Sequence, residues 1–147
     1  MSGIRAAAWY TCGITTSDQA YCWGENGTAQ LGNGGTSESN VPVAVAGGLT
    51  FSDLSLGAYG WGDRGTNCGV TTAGDLYCWG DEWGCRLGNN WCEQEFEATP
   101  IQVGAGRQYR AAHMGGFGGC ATGVDDQLYC WGVNYFGQTG YPHQGAY

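Results

Sequence analysis

The stretch TCGITTSDQAYCWG, residues 11–24, returns as NCGVTTAGDLYCWG at 67–80 and as GCATGVDDQLYCWG at 119–132. In every copy two cysteines stand ten positions apart, Cys12 and Cys22, Cys68 and Cys78, Cys120 and Cys130, and the unit closes on Tyr-Cys-Trp-Gly. Copies 56 and then 52 residues apart predict an array of like units, stacked or arranged as propeller blades.

The spacing predicts a hairpin. Residues that pair across an antiparallel hairpin have a constant index sum, so pairing 12 with 22 and 14 with 20 centres the turn on Ser17, and its equivalents on Ala73 and Asp125. The turn triplets Thr16-Ser17-Asp18, Thr72-Ala73-Gly74 and Val124-Asp125-Asp126 are small and polar, as a three-residue hairpin loop requires. The cysteines of each copy then face each other. A directly opposed, non-hydrogen-bonded pair has Cα atoms about 4.5 Å apart, which a disulfide can bridge. Three cross-strand disulfides are expected.

Strand alternation sets the two faces. Cys12, Ile14, Ala20 and Cys22 share one, while Tyr21 and Trp23 share the other, a pattern repeated by Tyr77 with Trp79 and Tyr129 with Trp131. A hairpin apolar on both faces has to lie between neighbours, so the copies are expected to stack face against face. Each Tyr-Trp pair would bury a few hundred Å², roughly several kcal/mol per junction at about 25 cal/mol per Å².

CWGENGTAQLGNG at 22–34, followed by VPVAVAGGLTFSDLSLGA at 41–58, resembles the repeat of the regulator-of-chromosome-condensation family, especially its cysteine-paired, secreted bacterial versions. CWGDEWGCRLGNN with TPIQV, and CWGVNYFGQTG, are similar with departures. The resemblance covers nearly the whole chain. It implies an all-β fold: β-propeller-type blades of four-stranded antiparallel sheet, here about three, stapled by disulfides across their hairpins. It does not imply one activity, because this fold serves guanine-nucleotide exchange, chromatin docking, ultraviolet sensing and β-lactamase inhibition. The expected organisation is a single repeat domain over 1–147, with blades at about 4–50, 51–103 and 104–147. After Trp131-Gly132 only VNYFGQTGYPHQGAY remains, so the third blade is expected to be incomplete.

Composition narrows the partners. Among 147 residues 29 are Gly and 12% are charged, as suits many short strands and tight turns. There is no Lys, and five Arg stand against thirteen Asp and Glu, for a net charge of −8. Phosphate binding needs a basic face, so no nucleic-acid partner is expected. No apolar run is long enough for a membrane helix, and Met1-Ser2-Gly3 opens no signal peptide. Any export signal is expected to have been trimmed, or the chain to begin inside a longer protein. Eight cysteines without a CxxC motif, and without zinc-knuckle spacing, read as cystines rather than a metal site. Cystines predict a secreted, extracellular, periplasmic or cell-surface setting.

The strands are expected in sequence order. Residues 4–10 read as the front of the inner strand that flows into Cys12, Pro42–Val45 as an edge strand, Leu49–Leu56 as the strand entering the second copy and Arg107–His113 as that entering the third. Asn26-Gly27-Thr28 is an N-glycosylation sequon on a surface loop, making Asn26 a glycan candidate. Two segments exceed the family pattern. Gly57–Asn67 is expected to be an inserted loop carrying Tyr59, Trp61 and Arg64. Asp81–Pro100 carries Trp83, Arg86 and Trp91, and Cys85 and Cys92 are expected to close a small local loop there. Strand parity puts both on one rim. Rigid aromatics and Arg are the residues interfaces use as anchors, so Tyr59, Trp61, Arg64, Trp83, Arg86 and Trp91 form the candidate binding rim.

Catalytic chemistry is not legible. No phosphate-binding glycine loop precedes a helix, and there is neither a nucleophile elbow nor a metalloprotease helix. Asp125-Asp126 and Glu93, Glu95 and Glu97 read as an exposed turn and a solvated acidic strand, and His113 and His143 as structural or solvent-facing. No enzyme, cofactor or metal is expected. The leading expectation is a secreted, non-enzymatic module that binds a protein or glycan through the rim. The alternative is a self-assembling structural subunit of an extracellular fibre, coat or appendage, whose copies meet through exposed blade faces.

Overall fold

In the computed structural model, which describes residues 3–60, 63–90 and 92–141, three antiparallel sheets follow one another along the chain. β1 (Gly3–Ala6), β2 (Tyr10–Ile14), β3 (Ala20–Gly24) and β4 (Ser39–Ala44) make the first sheet in that order. β5 (Phe51–Tyr59), β6 (Arg64–Thr71), β7 (Leu76–Asp81) and β8 (Phe96–Val103) make the second. The third has three strands, β9 (Tyr109–Met114), β10 (Gly118–Gly123) and β11 (Leu128–Gly132). The fold is all-β, with no helix among the described residues.

The repeated hairpin has the register that its cysteine spacing predicts. Cys12 lies opposite Cys22, Cys68 opposite Cys78 and Cys120 opposite Cys130, with Cα atoms 4.1, 4.1 and 4.0 Å apart and the sulfurs bonded. Each turn has three residues, the last with positive φ: Asp18 at 63°, Gly74 at 89° and Asp126 at 61°. Only Gly and short polar side chains adopt that conformation readily, which explains the turn composition.

Both faces of the hairpins find cover inside the stack. The cysteine face of the first sheet, with Cys12, Cys22, Ile14 and Ala20, packs with Phe51, Leu54 and the fully buried Trp79 of the second. The cysteine face of the second, with Cys68, Cys78 and Leu76, packs with Tyr109, Ala112, Tyr129 and Trp131 of the third. Hydrogen bonds carry the chain between sheets: Phe51 N donates to Asp18 O at 2.7 Å, and Tyr109 N to Gly74 O at 2.8 Å. Each incoming inner strand is thus tied to the previous sheet's hairpin turn. Two side chains of β5 add to this, Asp53 Oδ2 accepting from Ala112 N at 3.3 Å and Ser55 Oγ from Met114 N at 2.8 Å.

Two expected strand limits are corrected. Residues 4–10 are not one strand: Ala7 N donates to Tyr10 O at 2.9 Å, the chain reverses, and β1 pairs with β2 as separate strands. Gly57–Asn67 is not an inserted loop either. The β5–β6 ladder continues through Leu56–Asn67, Gly57–Thr66 and Ala58–Gly65 to Tyr59–Arg64, so the six extra residues lengthen a hairpin instead of decorating it. Comparison of half-cystine partners shows the difference: Cys12 lies opposite Arg5 and Cys120 opposite His113, seven residues back, but Cys68 lies opposite Ser55, thirteen back.

A candidate interaction rim

The lengthened β5–β6 hairpin lifts Tyr59 and Arg64 to the rim where the β7–β8 connection also emerges. That connection, residues 82–95, is closed on itself by the Cys85–Cys92 disulfide. Cys85 holds φ at 59° and donates its N–H to Glu82 O at 3.1 Å, the tight turn that brings Trp83 and Arg86 round. Trp83 stacks on Tyr59 with centroids 5.9 Å apart and planes 7° off parallel. Phe117, from the short β9–β10 link, closes against Tyr59 at 4.5 Å. Three connections from two sheets therefore build one aromatic patch.

Its floor is charged. The Arg86 guanidinium lies 4.7 Å from the Tyr59 ring centroid, 5.3 Å from Trp83 and 5.8 Å from Phe117. Arg86 Nη1 donates to Asp81 Oδ2 at 2.7 Å, and Arg64 Nη1 to Asp81 Oδ1 at 2.9 Å. Arg86 and Asp81 are buried, whereas Arg64 is half-exposed. Burial raises the Asp81 carboxyl above its ordinary value, and the Arg86 and Arg64 guanidiniums oppose that shift. Desolvation lowers the Arg86 guanidinium, opposed by Asp81. Arg86 Nε and Nη2 find no hydrogen-bond partner among the described residues, so the rings over the cation are its remaining stabilisation.

Of the expected rim residues, the structure brings Tyr59, Arg64, Trp83 and Arg86 together. Trp61 and Trp91 lie outside the described residues. Arg86 has a different part from the one its sequence position suggests: at 1% exposure its side chain supports the patch from beneath and does not reach a partner. Trp83 at 45% and Phe117 at 41% exposure are the outward-facing rings of the patch. Phe117 was not legible in GGFGG, which reads as a turn. The Arg86–Asp81 pair did leave a signal, since an acid two residues and a polar side chain seven residues past the repeated Trp recur as Glu25 and Gln30, which also bond to each other.

Asn26 is also corrected. It is fully buried: its Nδ2 donates to Gly35 O at 3.0 Å and Ser37 O at 2.9 Å, and its Oδ1 accepts from Leu31 N at 2.8 Å. The amide clips the loop after Trp23-Gly24 and is not presented for a glycan. Asn134 repeats the clip, its Oδ1 accepting from Thr139 N at 3.0 Å. In the second copy Glu82 occupies this place, buried, with Oε1 unpartnered among the described residues. Burial pushes its carboxyl up to about 7, offset in part by the Asn89 amide.

The Regulator of chromosome condensation (RCC1) repeat matches residues 17–60. The chain is built from RCC1-like repeats. The RCC1-like chain is 30% identical over 140 residues to the mouse (Mus musculus) E3 ubiquitin-protein ligase HERC2, an alignment covering 88% of this chain and 3% of that protein. It is 22% identical over 144 residues to the mitochondrial RCC1 domain-containing protein RUG3 of Arabidopsis thaliana, covering 97% and 31%. Among solved structures it overlays yeast RCC1 (Prp20), crystallised with Kap60, with a TM-score of 0.80 at 16% identity, covering 98% of this chain and 35% of that one. Human WBSCR16 gives 0.77 at 18% identity, covering 89% and 32%. The chain thus spans about a third or less of each relative, and the likeness to the solved structures is one of fold.

Proposed function

We propose that this RCC1-like chain is a non-enzymatic recognition module that binds a protein through the rim of Trp83, Phe117, Tyr59 and Arg64. The observation that carries this reading is the half-exposed aromatic pair, Trp83 and Phe117, held over the buried Arg86–Asp81 ion pair by connections from two sheets. Large aromatics pre-positioned on a rigid base lose little entropy on docking, which makes them effective anchors. A protein partner is in keeping with the scaffold, since yeast RCC1 (Prp20) is bound by Kap60, and Prp20p from Saccharomyces cerevisiae has binding properties to Gsp1p and histones. The net charge of −8 argues for a partner other than nucleic acid. Four disulfides support a setting outside the reducing cytosol, either extracellular or periplasmic.

The test is capture of partners on the immobilised chain from the extracellular fraction of its source cells. The reading expects a protein retained by the wild type and weakened at least about tenfold by Trp83→Ala combined with Phe117→Ala, at unchanged melting temperature. Partners retained equally by both forms would overturn it.

A further inference from the structure

Each junction between sheets is keyed by one indole. Trp79 of the second sheet enters the loop that follows Trp23 in the first, and its Nε1–H donates to Gln30 O at 3.1 Å. Trp131 of the third sheet enters the loop that follows Trp79 in the second, donating to Arg86 O at 2.7 Å. The accepting carbonyl stands seven residues after the earlier Trp in both, and a glycine two residues further leaves room for the ring. A Cβ on Gly32 would come within 2.6 Å of Trp79 Nε1, and one on Gly88 within 2.8 Å of Trp131 Cδ1. These loops are indole sockets, formed by one sheet and filled by the next.

The third sheet carries the same socket. Seven and nine residues after Trp131 stand Gln138 and Gly140, and Gly140 has the same left-handed backbone, φ 82° against 63° and 71° at Gly32 and Gly88. Around a Cβ on Gly140, however, nothing among the described residues lies within 4 Å. Beside it a cavity of about 420 Å³ is lined by Cys120, Cys130, Val133, Gln138 and Thr139. Thr139 Oγ1 is buried there with no hydrogen-bond partner among the described residues. Cys120 and Cys130 are half-buried, whereas the four equivalent cysteines inside the stack are fully covered. At the opposite end Trp23 is half-buried and belongs to neither core cluster, although it occupies the position of Trp79 and Trp131.

We propose that the Gln138–Gly140 loop is an indole-binding site whose occupant is Trp23 of a second copy of this chain, so that copies join head to tail by repeating the junction already present twice within each. The commitment to a second copy rests on continuity: the chain presents the socket at one end and the matching Trp-Gly hairpin at the other, in the same order as at its internal junctions. The contact is heterologous, because the surface used on one copy differs from that used on its neighbour, so assembly runs on until a ring closes or a filament grows. Phe117 of the aromatic rim also lines the same cavity, but Trp23→Ala and Gly140→Asn leave Trp83 and Phe117 in place, so the failure of one proposal is distinguishable from the failure of the other.

Sedimentation velocity over a range of concentrations tests it with the wild type, Trp23→Ala and Gly140→Asn. Asn is chosen because it tolerates positive φ while filling the socket. The wild type is expected to form species larger than a monomer as concentration rises, and each variant to remain monomeric under the same conditions. Their equimolar mixture is expected to give a dimer and nothing larger, since the intact socket of Trp23→Ala can take only the intact Trp23 of Gly140→Asn. Trp23→Phe, which keeps a ring and removes the N–H, is expected to weaken assembly about fivefold. A wild type that stays monomeric at its highest soluble concentration would overturn the proposal. So would assembly that both single variants leave unchanged, or a mixture of folded variants that does not dimerise.

Discussion

The loops that receive Trp79 and Trp131 and the loop around Gly140 are built to one plan, yet the first two are sealed and the third is open. Gly32 and Gly88 lie against an indole that fills the available space, while Gly140 faces none among the described residues. Leu31 and Leu87, beside the filled sockets, are fully buried, and at the third the corresponding residue is Thr139, whose hydroxyl has no partner among the described residues. The difference teaches that the repeat is not self-sufficient. One copy supplies a hairpin, a disulfide and a socket, and the next copy supplies the aromatic ring that completes the core.

The sharpest way to break this comparison is to remove the keys. Trp79→Ala takes a fully buried indole out of a socket and is expected to cost about 3–5 kcal/mol of stability. Trp23→Ala in the monomer, where no socket is filled by it, is expected to cost about 1 kcal/mol or less. Urea unfolding of dilute protein measures both, and equal losses would contradict the account.

The next effect concerns the clip that shapes each socket loop, where Glu82 stands in the place of Asn26 and Asn134. Its carboxyl sits at about 7 when folded, above its ordinary 4.5, so the folded chain holds this proton more tightly than the unfolded chain does. Its contribution to stability is therefore fully present below about pH 4.5 and is lost as pH rises through 7, by about 3 kcal/mol. Glu82→Gln is expected to abolish this loss and to gain stability over the wild type above pH 7 by a similar amount. Denaturant melts at pH 4.5 and pH 8 read the difference, and the same pH dependence in both proteins would refute it.

The smallest expected effect is kinetic. Mild thiol reduction followed by alkylation and mass spectrometry should open Cys120–Cys130, at the uncovered end, about an order of magnitude faster than Cys12–Cys22 and Cys68–Cys78, because thiolate attack needs access to sulfur. Assembly of copies should remove that difference.

How much of this was legible in the sequence follows from which interactions are local. The ten-residue cysteine spacing and the small polar triplet between the cysteines dictate register and turn, and the hairpins have both. Alternation of Cys with Tyr and Trp likewise announces two apolar faces that must stack. Rim convergence followed from strand parity, and Tyr59, Arg64, Trp83 and Arg86 do meet there. Burial was harder to read. Arg86 reads as an exposed anchor until Asp81, five residues earlier, is seen to draw it inward. Asn26 reads as a glycan acceptor because its triplet matches a sequon, whereas the backbone of its own loop takes up the amide. Extra residues at Gly57–Asn67 read as a loop because Gly is abundant, yet Gly57 and Gly65 there allow close approach of a neighbour: a Cβ on Gly57 would come within 2.4 Å of Gly115 O, and one on Gly65 within 2.6 Å of the Tyr10 ring. Phe117 enters the rim through a sheet junction 58 residues from Tyr59 in sequence, a distance that no local pattern spans.

Hydrogen exchange at the indole nitrogens, followed by NMR on dilute ¹⁵N-Trp-labelled protein, tests the shared design of the sockets most directly. The account predicts that the Nε1 protons of Trp79 and Trp131, bonded to the carbonyls of Gln30 and Arg86, exchange slowly, and that of Trp23 rapidly until copies assemble. Exchange of all three at one fast rate would contradict it.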